Sequence, residues 1–215
     1  MITIIDYGMG NLRSAQKGVE KGGYDAVVTE DASLLLSSDG IILPGVGAFK
    51  DCYLGLKSGG FIEPLLEAVE SGTPLLGICV GMQLLFDESE EGEGSPGLGL
   101  IGGKVVRFPR TDETGLKVPH MGWNNLTRTD NHCPILDGCT DDPYVYFVHS
   151  YHPRPDNENE VYATATYGHT FPAVVGKDKI FGTQFHPEKS QSEGISILAG
   201  FGKFVQESNS LLTPK

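Results

Sequence analysis

The chain has 215 residues, of which 39% are hydrophobic and 20% charged, and its formal net charge is −12. This composition predicts a globular fold and excludes a disordered chain. The acidity argues against non-specific binding to nucleic acid or anionic membranes and leaves a basic protein partner open.

The length predicts one domain over 1–215, large enough to bury about 70% or more of its unfolded surface. No apolar run approaches the roughly 18 residues of a membrane span. The opening "MITIIDYGMG" reads as a strand, with neither the basic region nor the cleavage pattern of a signal peptide. A cytoplasmic protein is expected. In that compartment Cys52, Cys79, Cys133 and Cys139 need no pairing, and none forms a C-x-x-C zinc pair.

The first half alternates. "ITIID" predicts a strand, and "NLRSAQKGVEKGG" a helix with Leu12, Ala15 and Val19 on one face and Gly22-Gly23 as its stop. "DAVVT" and "GIILPG" predict two more strands. "FIEPLLEAVESG" predicts a helix with Pro64 in its first turn and Gly72 at its end. "TPLLGI" follows as a strand, and "VGMQLLFD" as a helix directly after it. Continuous apolar strands between helices imply an α/β fold, a doubly wound, mostly parallel central sheet covered on both faces.

The second half is strand-rich. "KVVRF", "YVYFV", "VYATATY", "PAVVG" and "KIFGTQF" carry no helices between them, which predicts antiparallel additions to the same sheet. "DESEEGEGSPG" and "RPDNENE" read as loops. A last helix is expected over "SEGISILAGFGKFVQ", although its glycines count against it.

Cys79 is the first residue that calls for chemistry. It ends a strand and precedes a helix in "GICVGMQLLF", with Gly77 and Gly81 two residues to either side. Small–x–nucleophile–x–small is the pattern of a nucleophile elbow, whose tight turn leaves room only for glycine nearby. A thiol there meets a helix N-terminus that favours thiolate, and the Val80 N–H is placed to stabilise an oxyanion. A cysteine buried only for packing is the competing reading.

The elbow needs a base. His186, in "GTQFHPEKS", ends a strand, and Pro187 holds its backbone extended, so Glu188 falls on the same face and can fix the imidazole tautomer. His149 and His152, in "FVHSYHP", are the rival bases, without a carboxylate at i+2. In "LPGVGAF", Gly45 and Gly47 free the backbone around Val46 to present N–H groups. That loop either connects two elements or forms a second wall of the oxyanion site at the C-terminal edge of the sheet.

"GICVGMQLLF" together with "QFHPE" resembles the class I (triad) glutamine amidotransferases over essentially the whole chain. "DYGMGNLRS", "LPGVGAF", "PHMGWN", "FVHSYH" and "QFHPEKS" narrow the resemblance to the glutaminase subunits of imidazole glycerol phosphate synthase. The pyridoxal-phosphate synthase glutaminases have a Gly-Gly-Glu-Ser run where this chain has "PGVG". The anthranilate and guanylate enzymes lack "MGWN". The family elbow commonly has Leu where this chain has Val80, a position used only through its backbone.

The resemblance implies a flavodoxin-like architecture with Cys79 as nucleophile, His186 as base and acid, and Glu188 as its orienter. It implies that Gly47 and Gln83 hold the glutamine or its oxyanion, that the backbone of His149, Ser150 and Tyr151 lines the pocket, and that Glu91 meets the substrate ammonium. Trp123 and Lys189 would face the partner, a (β/α)₈ cyclase subunit that takes the ammonia for histidine biosynthesis. No cofactor or metal is implied. A glutaminase serving another synthase, and a cysteine hydrolase on the same elbow fold, are the alternatives.

Overall fold

The computed structural model describes residues 1–92, 94–109 and 115–210. Four strands open the chain: β1 (Ile2–Ile5), β2 (Ala26–Thr29), β3 (Gly40–Leu43) and β4 (Leu75–Ile78). Between them lie α1 (Leu12–Lys21), α2 (Phe49–Ser58) and α3 (Ile62–Glu70). A short helix, α4 (Val80–Gln83), follows β4 directly.

Ten strands follow: β5 (Glu88–Ser89), β6 (Ser95–Pro96), β7 (Gly103–Arg107), β8 (His120–Asn125), β9 (Thr127–Arg128), β10 (Tyr144–His149), β11 (Tyr151–Pro155), β12 (Val161–Tyr167), β13 (His169–Lys177) and β14 (Ile180–Thr183). Helix α5 (Gln191–Ser210) closes the described chain. No helix among the described residues is long and apolar enough to cross a membrane.

The main sheet runs β2-β1-β3-β4-β14-β13-β12-β9. Its first five strands are mutually parallel, and the last three add antiparallel. β1, β3, β4 and β14 are buried at every residue, as parallel strands covered on both faces must be.

Two expectations change here. "KIFGTQF" supplies β14, which is parallel to β4 and lies inside the sheet rather than being an antiparallel addition. "KVVRF" and "YVYFV" do not join the main sheet: β7 belongs to β11-β7-β5-β6, and among the described residues β10 pairs only with β8. An alternating strand pattern fixes which side chains face a core, not which sheet the strand joins.

Parts of both expected loops are also strand. β5 and β6 lie within "DESEEGEGSPG", where Glu93 is outside the described residues, and Arg154 and Pro155 end β11.

The glycines of α5 do not break it. A Cβ on Gly200 would lie 2.7 Å from the Ile135 carbonyl oxygen, and one on Gly194 would overlap the Pro187 carbonyl. They are points of close approach that let a 20-residue helix lie against the protein. Ile197, Leu198, Phe201 and Val205 fill the core from the same helix, each such side chain contributing roughly 1.5–3 kcal/mol when fully buried.

Parallel strands place their C-terminal ends on one edge. The segments leaving β1, β3, β4 and β14 there carry Tyr7, Pro44–Gly47, Cys79 and Gln184–Glu188. Residues far apart in sequence thus meet at the edge where open α/β sheets bind ligands.

Candidate active site

Cys79 has φ 55° and ψ −109°, a conformation that L residues rarely adopt. The surroundings enforce it. The Cys79 N–H donates to the Thr183 carbonyl at 2.7 Å, and the Cys79 carbonyl accepts from Gln83 N–H at 3.1 Å. A Cβ on Gly77 would lie 2.7 Å from the Gly81 carbonyl oxygen, and one on Gly81 would overlap the Leu43 carbonyl oxygen. The two glycines therefore let strand, turn and helix close on each other while the thiol borders a cavity of about 380 Å³, within the size range of small-ligand sites.

His186 lines the same cavity, and its Nδ1 lies 2.8 Å from Glu188 Oε1. Both side chains are buried. The geometry differs from the extended segment expected: Pro187–Lys189 form a 3₁₀ turn, and the carboxylate on that turn meets the Nδ1 edge of the ring. Ser190 Oγ donates to the His186 carbonyl at 2.7 Å and accepts from Tyr146 N–H.

Burial pushes the His186 pKa down, but hydrogen bonds to Cys79 and Glu188 and their negative charge outweigh it and raise it to about 10. The two partners thus favour the protonated ring over the neutral one. Cys79 beside it, oriented by a histidine held by a carboxylate, is the arrangement of a nucleophile, a base and an orienter.

The rival bases are committed elsewhere. His149 contacts the Tyr151 carbonyl through Nδ1 at 2.8 Å and His120 through Nε2 at 3.0 Å. His152 contacts the Pro153 carbonyl and His169. Burial pushes their pKa values down to about 3 and about 4. With both ring nitrogens engaged, neither is free to take a proton from Cys79.

Val46, Gly47, Val80, Gln83, Glu91, His149, Ser150 and Tyr151 all border the cavity. Gly45 packs behind it, where a Cβ would lie 2.5 Å from the Gly81 nitrogen. Two of these residues have further partners. Gln83 Nε2 donates to the Tyr151 carbonyl at 3.0 Å and to Gln184 Oε1 at 3.1 Å. Glu91 Oε2 accepts from Phe49 N–H at 2.8 Å and so caps the first turn of α2.

Gln184 was missed in the sequence. Its Nε2 lies 3.9 Å from Cys79 Sγ. Its signal was its position two residues before His186 in the strand-like run "KIFGTQF".

Lys189, expected at a partner interface, also borders the cavity, and its ammonium lies 5.8 Å from the centre of the Tyr146 ring. Trp123 does not border the cavity. It stacks on Tyr144 with ring centres 5.7 Å apart, and Met121, Trp123 and Tyr144 are 63%, 37% and 51% exposed. The β8–β10 register puts Val148, Tyr146 and Tyr144 on the same face as Met121 and Trp123. One face of this ribbon thus runs from the cavity wall to open surface.

Residues 3–203 match the family described as "Glutamine amidotransferase class-I", and the chain belongs to it. Among its relatives are proteins named "Imidazole glycerol phosphate synthase subunit HisH". The chain is 56% identical to that of Syntrophotalea carbinolica, covering 94% of this chain and 99% of that protein. It is 54% identical to that of Geobacter sulfurreducens, covering 94% and 98%.

Solved structures are similar in fold. One is described as "Crystal structure of glutamine amidotransferase", with a TM-score of 0.70 at 22% identity over 93% of this chain and 100% of that one. Another is PurLQS from Thermotoga maritima, with a TM-score of 0.69 at 21% identity over 99% and 98%.

Proposed function

We propose that the chain is a single glutaminase domain over 1–215 and the glutaminase subunit of a cytoplasmic imidazole glycerol phosphate synthase. It hydrolyses glutamine and passes ammonia to a (β/α)₈ cyclase subunit in histidine biosynthesis. The observation that carries the chemistry is the strained Cys79 lining one cavity with His186, whose Nδ1 is held by Glu188. The HisH relatives, matched over nearly their whole length, support the subunit role.

In this reading the Cys79 thiolate attacks the side-chain amide carbon of glutamine. The oxyanion is held by N–H groups of Val80 and of the Pro44–Gly47 loop. Collapse of the tetrahedral adduct breaks the C–N bond, and His186 gives its proton to the departing ammonia. Neutral His186 then takes a proton from water, whose oxygen attacks the thioester; glutamate leaves, and the thiolate–imidazolium pair is restored. The oxygens left on Gln83 and Glu91 face the amino-acid end of the substrate.

The ribbon face bearing Trp123 and Tyr146, with Lys189 at its cavity end, is the docking surface. It is apolar, aromatic and continuous with the cavity, which suits a product that must not reach solvent. The test is glutamate release by the chain together with the cyclase. Release that depends on Cys79, with cyclase turnover surviving Cys79→Ala when ammonia is added, supports the reading. Absence of glutamine hydrolysis by the wild-type complex overturns it.

A further inference from the structure

The loop that leaves β3 is held from behind by two side chains given no role so far. Tyr7, on the segment leaving β1, donates its hydroxyl to the Pro44 carbonyl at 2.6 Å. Cys52, on α2 and fully buried, donates its thiol to the Val46 carbonyl at 3.3 Å. Burial raises the pKa of both groups, so both stay protonated as donors, and they also interact with each other. Gly55, one turn along α2, makes room for the pair, since a Cβ there would lie 2.9 Å from the Tyr7 ring.

A peptide is planar and trans, so fixing its carbonyl fixes the N–H on the opposite side. Tyr7 thereby sets the Pro44–Gly45 peptide, and Cys52 sets the Val46–Gly47 peptide. The Gly45–Val46 peptide between them has no hydrogen-bond partner at either end among the described residues. Gly45, which has no Cβ, flanks that peptide on one side and gives it a permissive neighbour.

We infer that Tyr7 and Cys52 are positioning residues: they clamp the two outer peptides of the oxyanion loop and leave the Gly45–Val46 peptide alone free to turn its N–H toward the oxyanion. The inference rests on the glutaminase reading. A clamp of this kind keeps the donor's swing on one axis, so its loss spreads the loop over unproductive arrangements. Losing an oxyanion donor outright costs about 10²–10³ in rate; loosening its support costs part of that.

The test uses the complex with the cyclase, carrying Tyr7→Phe, Cys52→Ala or Cys52→Ser. Tyr7→Phe and Cys52→Ala are each expected to lower kcat for glutamine about tenfold, with KM within about threefold. Cys52→Ser keeps a donor and is expected to recover most of the loss, a rescue that a purely packing role does not predict. Alkylation of Cys79 by iodoacetamide develops no oxyanion, so its rate, read by mass spectrometry, should stay at the wild-type value.

Unchanged kcat in Tyr7→Phe and Cys52→Ala overturns the clamp, as does a change confined to KM or an alkylation rate that falls in step with kcat. If Cys52→Ala fails to fold, Tyr7→Phe and Cys52→Ser still decide. A wild-type complex that does not hydrolyse glutamine is the separate failure of the glutaminase reading.

Discussion

Glu188 reaches His186 Nδ1 through Oε1 at 2.8 Å, and its other oxygen, Oε2, is buried without a hydrogen-bond partner among the described residues. The imidazole is thus the carboxylate's hydrogen-bonded partner there, and the negative charge supports the raised His186 pKa. Glu188→Gln should lower that pKa, because the buried imidazolium loses its counter-charge. The alkaline limb of the kcat profile should then move to lower pH. His186→Ala should lower kcat more severely, by about 10²–10⁴-fold. An alkaline limb that stays in place in Glu188→Gln would assign the raised pKa to Cys79 alone.

Cys79 should be the one cysteine that reacts quickly. Burial pushes Cys133 and Cys139 up to about 12 and raises Cys52, which keeps them as thiols. A glutamine-analogue electrophile should label Cys79 and spare the other three, and Cys79→Ser should abolish hydrolysis without unfolding the protein. Mass spectrometry showing another cysteine labelled first would contradict this.

Stability should peak near pH 6.5. His120, His149 and His152 are buried, with pKa values lowered by burial to about 4, 3 and 4 from 6.5. The unfolded chain therefore binds more protons as pH falls below 6.5, and each histidine can remove up to about 1.4 kcal/mol per pH unit. His186 acts in the opposite direction: its contribution is complete below 6.5 and is lost as pH rises toward about 10. Urea unfolding from pH 4 to 9 measures both slopes. His152→Gln should flatten the acid side only, and an unchanged acid slope would rule His152 out.

Trp123→Ala should weaken the complex with the cyclase by about 30-fold or more, the size of an aromatic hot spot. It should barely change the stability of the isolated chain, since the side chain is 37% exposed. Titration calorimetry against thermal unfolding separates the two effects. Equal affinity would move the docking surface away from this ribbon.

Glutamine hydrolysis by the chain alone should be slow and should rise when the cyclase, and then the cyclase with its nucleotide substrate, is added. The unheld Gly45–Val46 peptide is the element a partner can bias, if it binds one orientation more tightly. The available factor is about 10²–10³. Equal glutamate release under all three conditions would mean that the oxyanion site is complete without a partner.

The parallel half of the fold was legible because its signals are local. Buried strands read as continuous apolar runs, and glycines punctuate them. Helix α2 went unread because "FKDCYLGLKS" mixes Lys50, Asp51 and Lys57 with Gly55, and its start depends on Glu91, 42 residues away in sequence. β8 went unread because "HMGWNN" becomes a strand by pairing with β10.

Cys79, His186 and Glu188 stood out because residue type and spacing together are uncommon. Gln184 and Tyr7 did not, because each acts on a neighbour far away in sequence, and Cys52 did not, because its contact with Val46, six residues earlier, depends on how the loop folds back on α2. The α5 glycines misled for a related reason: what they approach, Ile135 and Pro187, lies outside the helix itself.

The backbone of Cys79 has an evolutionary consequence. A non-glycine residue held at φ 55° carries a conformational penalty on the order of 1–3 kcal/mol, and glycine at the same place would escape most of it. A gene copy relieved of its chemical duty would thus gain robustness by exchanging this one codon. Selection for folding alone works against the nucleophile, while Gly77 and Gly81, whose absence of a side chain lets the turn close, would be kept. Decay of the activity would begin at its centre and leave the scaffold around it recognisable.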